Sequence, residues 1–201
     1  DDDFEYVELL NRGSQPIDLF GAAFDNGIQF SFEEALLLMP QARVVLVANR
    51  DAFVSRYGDS AAIAGVYTGR LANSGDRITL RAADGAEIQS FRFNDKTPWP
   101  TEADGDGNSL VLTNLEVNDD GNDAASWAAS TAIGGTPGAA PGEGPGPVEP
   151  TFADVTMPGD LVIRIDGIND GDANAGPPPA GEGSPSWSHS YVVGDPPAWA
   201  T

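Results

Sequence analysis

The chain has 201 residues, a formal net charge of −21 and no cysteine. The absence of cysteine excludes disulfide bonds, thiolate catalysis and cysteine-ligated zinc. The charge disfavours binding to nucleic acid backbones and to anionic membrane surfaces, because both attract Lys and Arg. It suits a solvated surface or one that collects cations. No apolar run approaches the roughly 18–20 residues that a membrane-spanning helix needs, so we expect no membrane insertion.

The first 32 residues predict short strands. Residues 4–10 (FEYVELL) are rich in apolar and aromatic side chains, which favours a strand. Residues 16–20 (PIDLF) predict a second short strand that begins at a proline and ends before Gly21. Residues 24–32 (FDNGIQFSF) contain the hairpin-type turn Asp-Asn-Gly at 25–27, followed by alternating apolar side chains.

A buried strand and a short helix are predicted next. Residues 33–39 (EEALLLM) have local helix propensity, but a proline ends the run, and a loop or a single turn is an equal alternative. Residues 43–48 (RVVLVA) form an almost unbroken β-branched run, which predicts a central strand buried on both faces. Residues 51–57 (DAFVSRY) predict a short helix that either Asn49 or Asp51 could cap.

The second half of this region continues the strand pattern. Strands are predicted at residues 77–81 (RITLR), 109–113 (SLVLT) and 127–129 (WAA). Residues 86–93 (AEIQSFRF) form another strand with two alternatives that the pattern leaves open. Either Ile88 and Ser90 share one face, or Phe91 and Phe93 lie on the core face after a bulge. Many short strands separated by Gly, Asp and Asn turns predict an all-β sandwich.

Composition divides the chain into three parts. Residues 1–140 carry the strand pattern of the sandwich. Residues 141–150 (PGEGPGPVEP) are dominated by Gly and Pro and predict an extended linker. Residues 151–201 predict an incomplete and largely irregular segment with one strand, in which Leu161, Ile163 and Ile165 alternate.

Several motifs, taken in order, resemble the lamin-tail domain of bacterial secreted and surface proteins. They are YVELLN at 6–11, PIDLFG at 16–21, YTGRLANSGDRITL at 67–80, DGAEIQSF at 84–91, PWP at 98–100, DGDGNSLVL at 104–112, and Trp127 with GTPGA at 135–139. The resemblance implies an immunoglobulin-like β-sandwich over residues 1–140. It also implies a non-catalytic module that is often joined to nucleases, phosphoesterases or other modules, and it supplies no catalytic residue.

Two further expectations come from resemblance. Members of the family usually open with a strand before the VEL strand, so we expect a chain cut at its N-terminus and an exposed sheet edge there. Residues 154–183 resemble, more weakly, the first strand of a galactose-binding-like domain. In this chain we expect that piece to be incomplete and poorly folded.

Two acidic loops are candidate calcium sites. Asp104, Asp106 and Asn108 place oxygen ligands at alternate positions, as calcium loops do. The EF-hand pattern fails, because Ser109 occupies the position that requires glycine and Leu115 the position that requires glutamate. The alternative is a structural loop that leads into the following strand.

A second acidic loop follows the strand of the C-terminal segment. Its candidate calcium ligands are Asp166, Asp170 and Asp172. The alternative is a solvated turn with no ligand.

Two single residues, Trp99 and His189, are candidates for a chemical role. Trp99, between two prolines, is either an exposed platform for sugar rings or a buried corner of the sandwich. His189 is the sole histidine, and no carboxylate near it in sequence is placed to orient it for a Ser-His-Asp relay.

These observations lead to a leading hypothesis of a non-enzymatic structural or interaction module of a larger secreted or cell-surface bacterial protein. Its partners would be other domains of the same polypeptide, surface proteins or glycans. One alternative is a calcium-dependent carbohydrate- or surface-binding module, with calcium as the cofactor. Another is an accessory fragment of an extracellular nuclease or phosphoesterase-type hydrolase.

Overall fold

The computed structural model describes residues 2–104, 107–113, 121–140 and 161–166, and strands dominate these residues, as the all-β prediction requires. The strands are β1 (Tyr6–Asn11), β2 (Ile17–Asp18), β3 (Ala23–Asn26), β4 (Ile28–Ser31), β5 (Leu37–Leu38), β6 (Arg43–Val47), β7 (Ile63–Val66), β8 (Thr68–Gly69), β9 (Arg77–Arg81), β10 (Glu87–Arg92), β11 (Asn108–Leu112), β12 (Trp127–Ile133) and β13 (Leu161–Asp166). The helix α1 spans Arg50–Tyr57, and short 3-10 helices lie at Asp2–Phe4, Thr101–Ala103 and Ala124–Ser126.

The strands form two larger sheets and one small pair. The six-stranded sheet has the order β12-β11-β13-β1-β6-β7, and the five-stranded sheet has the order β10-β9-β3-β4-β8. Strands β2 and β5 pair with each other. Neighbours in the six-stranded sheet are antiparallel except β6 and β7, which run parallel.

One hydrophobic core collects side chains from both larger sheets. Its largest fully buried members are Phe91, Phe93, Leu9, Leu19, Ile28, Leu46, Leu71, Ile78, Leu80 and Leu110. Leu9, Leu46 and Leu110 come from the six-stranded sheet, and Ile78 and Leu80 come from the five-stranded sheet. Both larger sheets therefore contribute to one buried apolar cluster, and that burial supplies the main driving force for folding.

Strand β6 confirms the prediction of a central strand buried on both faces. Val44 and Leu46 belong to the core between the sheets, whereas Val45 and Val47 face a second cluster on the other side. That second cluster consists of Tyr6, Val45, Val47, Phe53 and Ala61. Phe53 comes from α1, so the helix covers the face of the sheet that points away from the main core. A strand covered on both faces favours apolar side chains at consecutive positions, which explains its almost unbroken β-branched run.

Helix α1 confirms the predicted helix and settles its cap. The Asn49 side chain accepts hydrogen bonds from the backbone N–H groups of Asp51 (3.0 Å) and Ala52 (3.2 Å), so Asn49 is the N-cap. Gly58 ends the helix, and its N–H donates to the carbonyl of Val54. The neighbouring 33–39 run is not helical: it forms a loop that ends in β5.

The pairing of β9 with β10 settles the alternative at residues 86–93. The register shifts between Glu87 and Gln89, which is the bulge of the second reading. Phe91 and Phe93 are fully buried, and Ser90 instead contacts the Thr79 hydroxyl at 3.0 Å. Burial of two phenylalanines outweighs the cost of one unpaired position in the ladder.

Strand β13 lies inside the six-stranded sheet, between β1 and β11. It pairs antiparallel with β1 from Tyr6↔Asp166 to Asn11↔Leu161 and meets β11 at Leu110↔Ile165. The strand itself was predicted, but its position was not. The expectation of an exposed edge at the VEL strand was wrong, because β6 covers one edge of β1 and β13 covers the other. The proposed boundaries at residues 140 and 150 stay predictions, since 141–160 lie outside the described residues.

Candidate functional site

The most unusual polar group of the described structure is the carboxylate of Glu5, immediately before β1. Glu5 is only 1% exposed. Its Oε2 accepts hydrogen bonds from the Tyr67 hydroxyl (3.1 Å) and the Leu71 N–H (3.2 Å), while Oε1 is buried with no hydrogen-bond partner. Burial raises the pKa of Glu5 to about 7, although these two hydrogen bonds oppose the rise, and the negative Asp2 nearby adds to it. The group therefore changes charge near neutral pH.

Glu8, in the middle of β1, is the second buried carboxylate. Its Oε1 lies 3.5 Å from Nε of Arg43 on the adjacent strand, and its Oε2 accepts a 2.6 Å hydrogen bond from the N–H of Gly138. A buried carboxylate needs such a cation and such donors to offset the loss of hydration. The contact also fastens the chain after β12 to the centre of the sheet.

Asn11 ends β1 and completes a series with Glu5 and Glu8, which we call the β1 polar residues. The Asn11 amide donates to the carbonyls of Gln15 and Leu38, both at 2.8 Å. All three β1 polar residues are buried, and each binds backbone groups of a loop or strand elsewhere in the chain. These hydrogen bonds hold loops and a neighbouring strand against β1.

The first predicted calcium loop is only partly within the described residues. Asp104 follows the 3-10 helix at Thr101–Ala103, and its N–H donates to the Thr101 carbonyl. Asp106 lies outside the described residues. The side-chain amide of Asn108 donates a 2.7 Å hydrogen bond to the carbonyl of Ser130, so it ties β11 to β12.

The second predicted calcium loop lies almost wholly outside the described residues. Asp166 is the last residue of β13 and the register partner of Tyr6, whereas Asp170, Asp172 and also His189 lie beyond the described part. In the ranges that the structure describes, no three His, Cys, Asp or Glu side chains come together as metal ligands. The calcium hypothesis therefore stays untested at both loops.

Trp99 packs onto the main core as one end of an aromatic row. Its ring centroid lies 6.0 Å from that of Trp127, which lies 5.0 Å from that of Phe91. The indole N–H of Trp127 donates to the Gly121 carbonyl at 2.9 Å. Trp99 is half-buried rather than enclosed, so it closes the corner of the core and leaves part of its surface accessible.

The β1 polar residues were not among the candidates drawn from the sequence. The available signal was local: two glutamates stand among the apolar side chains of residues 4–10, at positions where a partner is required if both faces are covered. Their partners Tyr67, Leu71 and Gly138 lie more than 60 residues away, so no local pattern identifies them.

Comparison with protein-family models, with curated proteins and with solved structures gives no match to this chain. Among the described residues, no helix is long and apolar enough to cross a membrane.

Proposed function

We propose that this chain is a non-catalytic structural and interaction module, an immunoglobulin-like β-sandwich of the lamin-tail type, within a larger secreted or cell-surface bacterial protein. The observation that carries the proposal is that the β1 polar residues are buried and bind other parts of the same chain. Glu5, Glu8 and Asn11 are buried, and they bind loop backbone and neighbouring side chains. Side chains that bind in this way hold loops against the sheet, which is a structural role.

The contacts between motifs support the proposed family. The YVELLN motif forms β1, and the GTPGA motif docks on it through the hydrogen bond from Gly138 to Glu8. Trp127 of the closing motif packs on Phe91 of the DGAEIQSF motif. Motifs that are far apart in the chain thus meet in one core, as expected if they were parts of one domain. The shared core between two sheets supports the sandwich arrangement.

Thermal unfolding with added divalent cations tests this proposal against a calcium-dependent binding module. A chain of net charge −21 is stabilised by screening with any divalent cation, so magnesium serves as the control for calcium. For a structural module we expect equal shifts in melting temperature with the two ions. A calcium-specific rise that grows with concentration, and that Asp104→Asn abolishes, would favour the binding module instead.

The surrounding gene tests the remaining part of the proposal. We expect the open reading frame that encodes these residues to encode an export signal and further domains. An open reading frame with no export signal would contradict the secreted or surface location. A catalytic domain next to this module would support the accessory role in an extracellular hydrolase.

A further inference from the structure

Residues 70–74, between β8 and β9, form a loop that we call the Leu71 loop. Glycines at positive φ bound it on both sides, Gly69 with a φ of 86° and Gly75 with a φ of 101°. Leu71 is buried in the main core, whereas the other residues of the loop are exposed or half-buried. The loop therefore inserts one side chain into the core and is bounded by residues that can act as hinges.

Two hydrogen bonds join the Leu71 loop to side chains of other segments. The Leu71 N–H donates to Oε2 of Glu5 at 3.2 Å in a buried contact. The side-chain amide of Asn94 donates to the Ser74 carbonyl at 3.3 Å, and this contact is exposed. An exposed hydrogen bond contributes little, because water replaces it readily. The carboxyl group of Glu5 is therefore the stronger of the two polar contacts that hold the loop closed.

The closed loop suits a neutral Glu5 better than an ionised one. Glu5 is 1% exposed, and its Oε2 accepts from Tyr67 and Leu71, but its Oε1 is buried with no hydrogen-bond partner. An ionised carboxylate loses the hydration of both oxygens on burial, and here only one oxygen gains donors in return. Moving the loop away would bring water to the carboxylate, so ionisation favours the open position.

The charged groups around Glu5 do not offset its loss of hydration. Burial is the largest effect and raises the pKa of Glu5 to about 7, and Asp2 adds to the rise. The chain's amino group has the smallest effect and lowers this pKa. Arg70, the cation of the loop, lies 3.7 Å from Asp2 in an exposed contact. Tyr67 stays neutral up to about pH 10, and Ala48, whose N–H donates to the Glu5 carbonyl, carries no charge.

We propose that the Leu71 loop is a pH-dependent latch that is closed over protonated Glu5 and opens locally when Glu5 is ionised. In the open form the loop turns at Gly69 and Gly75, water reaches the carboxylate, and both larger sheets stay folded. Burial of Leu71 opposes opening, so the open form is a minor population whose share grows with pH. The latch rests on contacts within the chain and does not depend on the proposed function.

Hydrogen exchange at the Leu71 amide tests the latch, because this N–H is bound to Glu5 in the closed form. NMR exchange rates of the full chain, corrected for the intrinsic effect of pH, give the opening constant. With a pKa of about 7 when closed and 4.5 when open, that constant should rise by as much as about 70-fold from pH 5 to pH 8.

The Val45 amide, which donates to the Ala62 carbonyl at 2.8 Å, reports opening of the six-stranded sheet. If the latch opens locally, Leu71 has the larger opening constant at every pH. Low concentrations of urea should then leave the Leu71 constant unchanged while they raise that of Val45, because only opening of the sheet exposes much new surface.

Three variants connect the opening to the Glu5 carboxyl. Glu5→Gln should remove the pH dependence of the Leu71 opening constant, whereas Glu33→Gln, at an exposed carboxylate, should keep it. Tyr67→Phe removes one of the two donors that favour ionised Glu5, so the rise should continue to a higher pH than in the natural chain. If Glu5→Gln does not fold, Tyr67→Phe supplies the decision.

Three results would overturn the latch. The first is a Leu71 opening constant that does not change with pH, and the second is a pH dependence that persists in Glu5→Gln or is unmoved in Tyr67→Phe. The third is equal opening constants and equal urea dependence at Leu71 and Val45, which would mean that Glu5 ionisation acts only through unfolding of the whole sheet.

Discussion

Replacing Glu5 by glutamine is expected to remove a pH-dependent loss of stability. The Glu5 carboxyl has a pKa of about 7 in the folded chain and 4.5 as its ordinary value. Between these values the folded state binds more protons than the unfolded state, so the free energy of unfolding falls as pH rises. The contribution is fully favourable below pH 4.5 and is lost as pH passes through 7.

The size of the effect follows from the difference between the two pKa values. Since one unit corresponds to about 1.4 kcal/mol, ionised Glu5 costs the fold as much as about 3 kcal/mol above neutral pH. Glutamine carries no charge at any pH, and its carbonyl can still accept from Tyr67 and Leu71. Its amide has no partner where Oε1 lies, so we expect the variant to be slightly less stable than the natural chain at pH 4.5.

Urea unfolding from pH 4.5 to pH 8 measures this prediction. The difference in the free energy of unfolding, variant minus natural chain, should move in the variant's favour by as much as about 3 kcal/mol across that range. Glu33→Gln, at an exposed carboxylate, is the matched control and should keep the pH profile of the natural chain. Parallel profiles for Glu5→Gln and the natural chain would refute the reasoning.

In two further pairs of substitutions, a tightly packed position is compared with an open one. Gly75→Ala and Gly85→Ala both place alanine at positive φ, which costs about 1–2 kcal/mol, but only at Gly75 would the new Cβ lie 2.5 Å from a carbonyl, that of Phe93. We expect Gly75→Ala to lose an additional 1–3 kcal/mol or so in thermal or urea unfolding, and equal losses would show that the contact is unimportant. Phe91→Ala should cost about 3–5 kcal/mol, whereas Phe20→Ala, at a side chain 58% exposed, should change stability by no more than about 0.5 kcal/mol. Similar losses from these two would mean that Phe91 is not in the core.

Local features were predictable because their causes are local. The run at β6 is apolar at consecutive positions, which only a strand covered on both faces requires. The side chain of Asn49 caps the start of α1. Gly58 ends the helix because it has no side chain and adopts a positive φ easily. The bulge before Phe91 was one of two alternatives, and burial of the phenylalanine decided it.

Features that depend on distant parts of the chain were not predictable. The alternation in β13 indicates a strand but carries no information on its neighbours, and β1 lies some 150 residues away. Glu5 and Glu8 look like ordinary acids in a chain that has 31 acidic residues. Only the folded arrangement shows that both are buried and which groups bind them.

Amide hydrogen exchange at β13 tests the central structural claim most directly. If β13 is the strand between β1 and β11, the amides of Val162 to Ile165 exchange about as slowly as those of Val7 to Leu10, because both strands open only when the sheet opens. If the β13 amides exchange hydrogen at the rate of an unstructured peptide while the β1 amides stay protected, the placement of β13 in the sheet is contradicted.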